Sequence, residues 1–228
     1  MAELGIREYD AKRMLARNLP KYGFDQCGSL DRRILVDQNT RLDSLVEVYP
    51  WLAEERLVIK PDQLIGRRGK HRLLLLNASF EEAKSFLKEN LGRRVTVQGT
   101  TGTLTHFLIE PFVQHSSEYY TAFRTERDAD VLYFSTQGGV DVEEHWESVK
   151  ALRIPVLDSI EDMDLTSSFS SFASDEKVLL SKFAKALYRL FRDLGFTFLE
   201  LNPFTIRGRY VIPLDCRAKL DDASKFEN

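Results

Sequence analysis

Two short stretches concentrate side chains suited to phosphate and to hard metal ions. The first is LVIKPDQLIGRRGKHR at 57–72. Within thirteen residues it holds five cations, Lys60, Arg67, Arg68, Lys70 and Arg72, against one acid, Asp62. That is +4 in a chain whose net charge is −3, leaving −7 on the remainder. Gly66 and Gly69 bracket Arg67 and Arg68. Glycines let a backbone approach a ligand closely, and arginine forks match phosphate oxygens. The stretch is neither a GxxxxGK[ST] loop nor a GxGxxG fingerprint. No aromatic residue interleaves the cations, which argues against a base-stacking nucleic-acid patch. By pattern alone an exposed basic loop fits as well, since charge runs are usually solvated.

The second stretch is LELNPFTIRGRYVIPLD at 199–215. Glu200 and Asn202 stand two apart on a predicted strand and so share a face. A turn at Arg207-Gly208 places Asp215 opposite Glu200; a turn at Gly208-Arg209 places it opposite Asn202. Either way the three side chains share a face. Carboxylate and carboxamide oxygens suit Mg²⁺, which typically takes one or two protein ligands and the rest from phosphates and water. A solvated hairpin face is the plain alternative. Leu199, Leu201 and Leu214 alternate with the polar groups, which predicts one buried face and a polar face able to line a cleft.

The elements that carry these stretches follow from pattern. Glu8–Arg17 reads as a helix stopped by Pro20. Residues 32–37, 56–61 and 73–77 read as strands, the last a buried one, and 43–53 as a helix despite Pro50. SFEEAKSFLKENLG opens with a capping box, Ser79 with Glu82, and closes on Gly92. Further on, FLIEPFV, YYTAFRT and VLYFST are strand-like, the last two joined by the turn ERDAD, and a glycine pair follows at Gly138 and Gly139. Apolar residues spaced by three and four predict a helix over 175–194, capped by Ser174 and ended by Gly195. TFLELNPF and RYVIPLD form a final hairpin. Alternating elements early and hairpins late predict two α+β lobes with a cleft between them.

Composition bounds the function. The 228 residues are 43% hydrophobic and 29% charged, ordinary for a globular chain able to bury a sizeable core. The net acidity argues against general nucleic-acid affinity. No apolar run approaches the roughly 20 residues of a membrane span. The N-terminus, MAELGIREYDAKR, lacks an apolar h-region and reads as no signal peptide. Cys27 and Cys216, without CxxC spacing, read as reduced thiols of a cytoplasmic protein.

Five segments together resemble a known family. REYDAKRMLARNLP resembles the opening of the ATP-grasp subunit of succinyl-CoA synthetases, and LVIKPDQLIGRRGK resembles the corresponding segment of ATP-citrate lyases. FLIEPFV, STQGGVDV, and LELNPF followed by PLDCRAKLD match that family in order and spacing, over nearly the whole chain. The resemblance implies an α+β ATP-grasp fold of two lobes with the nucleotide cleft between them: a small lobe at 21–104, and a large lobe from 1–20 and 105–228. It implies ATP or ADP and Mg²⁺ as ligands. Lys60, Arg68 and Gly69, with Arg67 nearby, would contact phosphate. Glu110, Pro111 and Val113 would belong to an interlobe hinge whose backbone recognises adenine, and Glu118 would face the ribose. Asn202 and Asp215 would hold Mg²⁺, and Glu200 would help position a phosphohistidine.

Family members phosphorylate that histidine from ATP, pass the phosphoryl group to a carboxylate of citrate, and form citryl-CoA. ATP-citrate lyases then cleave it to acetyl-CoA and oxaloacetate; citryl-CoA synthetases stop before cleavage. The resemblance places the histidine and the CoA site on a companion segment or subunit of a hetero-oligomer, with citrate and CoA bound largely outside this chain. It implies no nucleic-acid or membrane partner. His71, His106, His115 and His145 do not match the phosphohistidine. Gln137 stands where relatives often carry Glu, and the loop from Val113 to Glu118 is shorter than in the animal enzyme. A succinyl- or malyl-CoA ligase is the alternative within the class, and a non-catalytic interaction domain the alternative outside it.

Overall fold

The computed structural model describes residues 2–64, 73–97, 99–139 and 142–226. In chain order the elements are β1 (Glu3–Ile6), α1 (Glu8–Asn18), β2 (Ile34–Asp37), α2 (Leu45–Val48), α3 (Trp51–Glu54), β3 (Leu57–Pro61), β4 (Leu75–Ala78), α4 (Phe80–Asn90), β5 (Arg94–Val97), β6 (Thr100–Thr103), β7 (His106–Pro111), β8 (Tyr119–Thr125), β9 (Ala129–Ser135), β10 (Lys150–Pro155), α5 (Ser174–Asp193), β11 (Phe196–Arg207), β12 (Tyr210–Pro213) and β13 (Cys216–Asp221). The chain divides into two compact units, Met1–Leu30 with His115–Asn228, and Asp31–Gln114. Both boundaries fall ten residues beyond the 21–104 lobe expected from the sequence. Phe24 and Leu30 join the core of the first unit, and β7 is hydrogen-bonded inside the sheet of the second.

The first unit is built on an antiparallel sheet in the order β1-β13-β11-β8-β9-β10, with β12 also paired to β11. Helix α5 covers one face. Its apolar stripe, Leu180, Phe183, Leu187, Leu190 and Phe191, packs with Phe123, Phe134, Leu199, Leu201 and Phe204 in one buried cluster. Buried Asp130 on β9 accepts from Tyr188 Oη and from Arg192 Nη1, both at 3.0 Å, which ties α5 to the sheet. The expected cap, Ser174, is the first helical residue instead. Ala173 holds the extended cap conformation, and its N–H donates to Glu176 Oε2 at 3.4 Å. The opposite sheet face carries a smaller cluster of Tyr120, Ala122, Tyr133, Val142, Val149 and Phe198, with Trp146 against Tyr120 and Tyr133. Cys27 and Cys216 are free thiols, and burial pushes both upward from the ordinary thiol range.

The second unit holds a four-stranded antiparallel sheet, β2-β7-β3-β4, and the hairpin β5-β6. The helix expected at 43–53 breaks into the single turns α2 and α3. Pro50 lies between them, and the residue before it, Tyr49, leaves the helical region at φ −128° and ψ 76°. Proline disfavours the helical conformation in its predecessor, so the apolar pattern loses here to backbone sterics. The strand expected at 73–77 begins only at Leu75 and is not fully buried. Among the described residues it pairs along one side only, with β3, and Leu76 is 54% exposed, so the apolar run marks an edge strand. Helix α4 keeps its capping box: Ser79 Oγ accepts from Glu82 N at 3.3 Å, and Ser79 N donates to Glu82 Oε2 at 2.7 Å. No helix among the described residues is long and apolar enough to cross a membrane.

Ser79→Ala removes one acceptor from that box. It is expected to lower stability by about 1 kcal/mol, the usual cost of losing such a cap. Urea denaturation followed by circular dichroism reads this directly, and an unchanged midpoint would show the cap to be dispensable.

Candidate functional site

Lys60 lies on β3 beside Glu110 on β7. The register pairs Lys60 with Leu108 and Val58 with Glu110, so the two charged side chains are diagonal neighbours across the antiparallel pair. Lys60 Nζ stands 2.9 Å from Glu110 Oε2, with side chains only 4% and 10% exposed. A buried ammonium is tolerated when it is paired. Glu110, assigned only a backbone role by resemblance, therefore also supplies the charge that keeps Lys60 in place. Pro111 closes β7 opposite Leu57, Phe112 N donates to Arg56 O at 2.6 Å, and Val113 is buried. Arg67, Arg68 and Gly69 lie outside the described residues, as do Lys70 and Arg72.

In the first unit the hairpin turns at Gly208-Arg209, with Arg207 paired to Tyr210 and Gly208 at φ +60°. Of the two registers the sequence allows, this one puts Asp215 opposite Asn202, and Asn202 N donates to Asp215 O at 3.3 Å. Glu200 faces Arg217 instead. Leu199 and Leu201 are buried while Glu200 and Asn202 are half-buried, as the alternation predicts; Leu214 is half-buried as well. Leu214 N and Asp215 N both donate to Pro203 O, at 3.0 and 3.1 Å. Asp215 Oδ1 accepts from Cys216 N at 2.8 Å, and Asn202 Oδ1 accepts from Gly139 N at 2.7 Å. Two side-chain oxygens are thus fixed by main-chain donors at facing positions between the β11–β12 and β11–β13 ladders.

The glycine pair explains part of this. A Cβ on Gly138 would stand 2.4 Å from Tyr119 O, and one on Gly139 would stand 2.5 Å from Glu118 Oε2. Gly139 also has φ +92°, where side chains are disfavoured. Gly138 N donates to Glu118 O at 2.8 Å. The two glycines therefore lie flat against Glu118-Tyr119 and deliver Gly139 N to Asn202. Glu118 Oε1 is 2.9 Å from His115 Nε2. The sequence displays the pair GG at a strand end but not what the close approach serves.

Glu200 has a neighbour that the sequence reading missed. Tyr120, 3% exposed on the adjacent β8, hydrogen-bonds Glu200; burial first, then the Glu200 charge and that bond, push its phenol well above the ordinary range. The diagonal placement follows from the register, in which Glu200 faces Ala122. Among the described residues no three or more His, Cys, Asp or Glu side chains gather into a metal-holding group.

The family model for the ATP-citrate synthase ATP-grasp domain matches residues 2–228. The chain belongs to this ATP-grasp family. ATP-citrate synthase alpha chain protein 2 of Arabidopsis thaliana is 40% identical over 228 residues, all of this chain and 53% of that protein. Human ATP-citrate synthase is 38% identical over 194 residues, 84% of this chain and 18% of that protein. The structure of ATP citrate lyase from Methanothrix soehngenii, solved with citrate and coenzyme A, superposes with a TM-score of 0.90 at 44% identity. It covers 99% of this chain and 53% of that one. The chain thus spans about half the length of its plant relatives. PH1788 of Pyrococcus horikoshii, at 18% identity and a TM-score of 0.64, shares the fold. The ATP-grasp fold expected from the sequence is the fold of the chain.

Two substitutions probe this geometry. Gly138→Ala forces a methyl group into the Tyr119 backbone and is expected to cost roughly 1–3 kcal/mol, as overpacking does. Gly102→Ala meets nothing within 4 Å and serves as the neutral control. Equal thermal midpoints for the two would refute the close-approach account. Separately, Glu110→Ala strands the Lys60 ammonium and is expected to cost roughly 3–5 kcal/mol, whereas Lys60→Met with Glu110→Leu should come close to neutral. Chemical denaturation of both variants gives the comparison.

Proposed function

We propose that this chain is the ATP-binding part of an enzyme that activates citrate, converting ATP, citrate and CoA to citryl-CoA, ADP and phosphate. Whether citryl-CoA is then cleaved to acetyl-CoA and oxaloacetate depends on segments beyond these residues. That the relatives are ATP-citrate synthases and lyases supports citrate over succinate or malate as the acid.

In this reading Lys60, with Arg67, Arg68 and Gly69, contacts ATP phosphates. The backbone of Glu110, Pro111 and Val113 recognises adenine, and Glu118 faces the ribose. Asn202 and Asp215 hold Mg²⁺. The donor set fits that ion. A carboxylate and a carboxamide oxygen are hard ligands, and the main-chain N–H groups of Cys216 and Gly139 orient them. Bound there, Mg²⁺ would neutralise phosphate charge, which is where phosphoryl transfer gains most of its acceleration. Glu200, oriented by Tyr120, helps position a phosphohistidine carried by a companion segment or subunit, which also carries the CoA site. Assembly follows the same resemblance, a hetero-oligomer, and the reading of Cys27 and Cys216 as reduced thiols supports a cytoplasmic compartment.

The observation that carries the reading is the facing of Asn202 on β11 with Asp215 between β12 and β13, each side-chain oxygen fixed by a backbone donor. A ligand that binds the folded chain raises its melting temperature by mass action. Mg·ATP is expected to raise the thermal midpoint of the 228-residue chain, and citrate or CoA alone to leave it unchanged. Asp215→Ala should abolish most of the Mg²⁺-dependent part of the rise. A wild type indifferent to Mg·ATP, or an undiminished rise in Asp215→Ala, would sink the site as drawn.

A further inference from the structure

Helix α1 carries a charge pair that the functions above do not use. Glu8 and Lys12 are four residues apart, and Nζ lies 3.0 Å from Glu8 Oε1. Such pairs usually decorate exposed helix faces. Here the side chains are 3% and 1% exposed, and Lys12 is among the largest fully buried side chains. Two buried charges are costly, and an apolar pair of similar size would pack as well or better. An apolar pair could not do one thing that Lys12 does. Its Nζ donates to the carbonyl of Leu214 at 3.2 Å, across 202 residues of sequence.

Leu214 lies in an unusual place. Strand β12 ends at Pro213 and β13 begins at Cys216, so Leu214 and Asp215 fall between the two named strands. The N–H groups of Leu214 and Asp215 converge on the single carbonyl of Pro203, and the Asp215 carbonyl accepts from Asn202 N. The Leu214 carbonyl is held from another element, by Lys12. These main-chain bonds of the two-residue gap together fix the residue that presents the Asp215 carboxylate. Glu8 balances the lysine charge, so the donor is delivered without a net positive charge beside a position proposed to bind a cation.

We propose that the Glu8–Lys12 pair is a positioning device for Asp215. Lys12 pins the Leu214 carbonyl, and Glu8 makes that buried ammonium electrostatically silent toward a divalent ion. The inference rests on the reading of Asp215 as an Mg²⁺ ligand and adds the residues that set its geometry.

The test is calorimetric titration of ADP with and without Mg²⁺ into the 228-residue chain. The quantity read is the gain in affinity that Mg²⁺ confers. Asp215→Ala should remove most of that gain. Lys12→Met should cut it by roughly 10–100-fold, the usual effect of losing an outer-shell partner of a metal site, while leaving Mg²⁺-free ADP affinity unchanged. A merely structural role would weaken both affinities together or neither. Should Lys12→Met fail to fold, Glu8→Leu with Lys12→Met supplies a charge-balanced apolar pair, and it should lose the same gain because Leu214 O has still lost its lysine. A folded double variant with the wild-type gain would overturn the inference. A wild-type gain in Asp215→Ala would instead overturn the metal reading beneath it, so the two failures are distinguishable.

Discussion

Strand β11 pairs with β8 along one edge and with β13 and then β12 along the other. One register runs along that second edge: Leu199 faces Ala218, Glu200 faces Arg217, Leu201 faces Cys216 and Phe204 faces Pro213. The turn at Gly208-Arg209 sets it. A slip of one residue would turn every side chain to the opposite face. Leu199 and Leu201 would leave the cluster they share with α5, and Asp215 would lose Asn202 as its opposite number. The packing of α5 and the facing of Asn202 with Asp215 are therefore one constraint. A one-residue slip would break both together.

Charges placed out of water form a second level of control. Lys60–Glu110 joins β3 to β7, Arg192–Asp130 joins α5 to β9, and Glu8–Lys12 reaches from α1 to Leu214. Each contains at least one member that is almost wholly buried. Such pairs contribute little net stability against apolar replacements, but they allow few alternative geometries. The pair Arg153 makes with Glu126 and Asp128 differs: Arg153 is 54% exposed, and solvent screening leaves such contacts worth little. The buried pairs join separate elements of the fold, whereas the Arg153 pairs lie in solvent.

Elements with strong local signals were legible in the sequence. The capping box at Ser79 and Glu82, the hairpin at ERDAD and the stripe of α5 all appear, because local chemistry and tertiary packing agree there. The misses occur where they disagree. Pro50 splits a segment with a helical apolar pattern, and LLLLN looks like a buried strand but lies at a sheet edge. Periodicity reports which residues are apolar, not how many neighbouring strands a segment acquires. For the site, residue types and spacing singled out Glu200, Asn202 and Asp215 and the cations from Lys60 to Arg72, the family resemblance supplied their roles, and the choice between two registers needed the turn itself. Tyr120 beside Glu200, Glu110 beside Lys60 and Lys12 at Leu214 join residues distant in sequence, so no window of sequence could display them.

The orientation of Asn202 shows how these layers meet. A side-chain amide offers an acceptor and two donors that differ only by a flip. A main-chain N–H aimed at it decides the matter, because only the oxygen can accept. Gly139 N does this at 2.7 Å, and it can approach so closely because neither Gly138 nor Gly139 carries a Cβ to strike Tyr119 or Glu118. A second oxygen, on Asp215, is set by Cys216 N and by a backbone segment that Lys12 holds from α1. If Asn202 and Asp215 hold Mg²⁺ as proposed, their two oxygens are oriented before any ligand arrives, by donors from separate parts of the chain. Preorganisation of this kind would remove the cost of ordering them on binding, and the polar face of this short hairpin is tied for it to a helix near the N-terminus and to a glycine pair after β9.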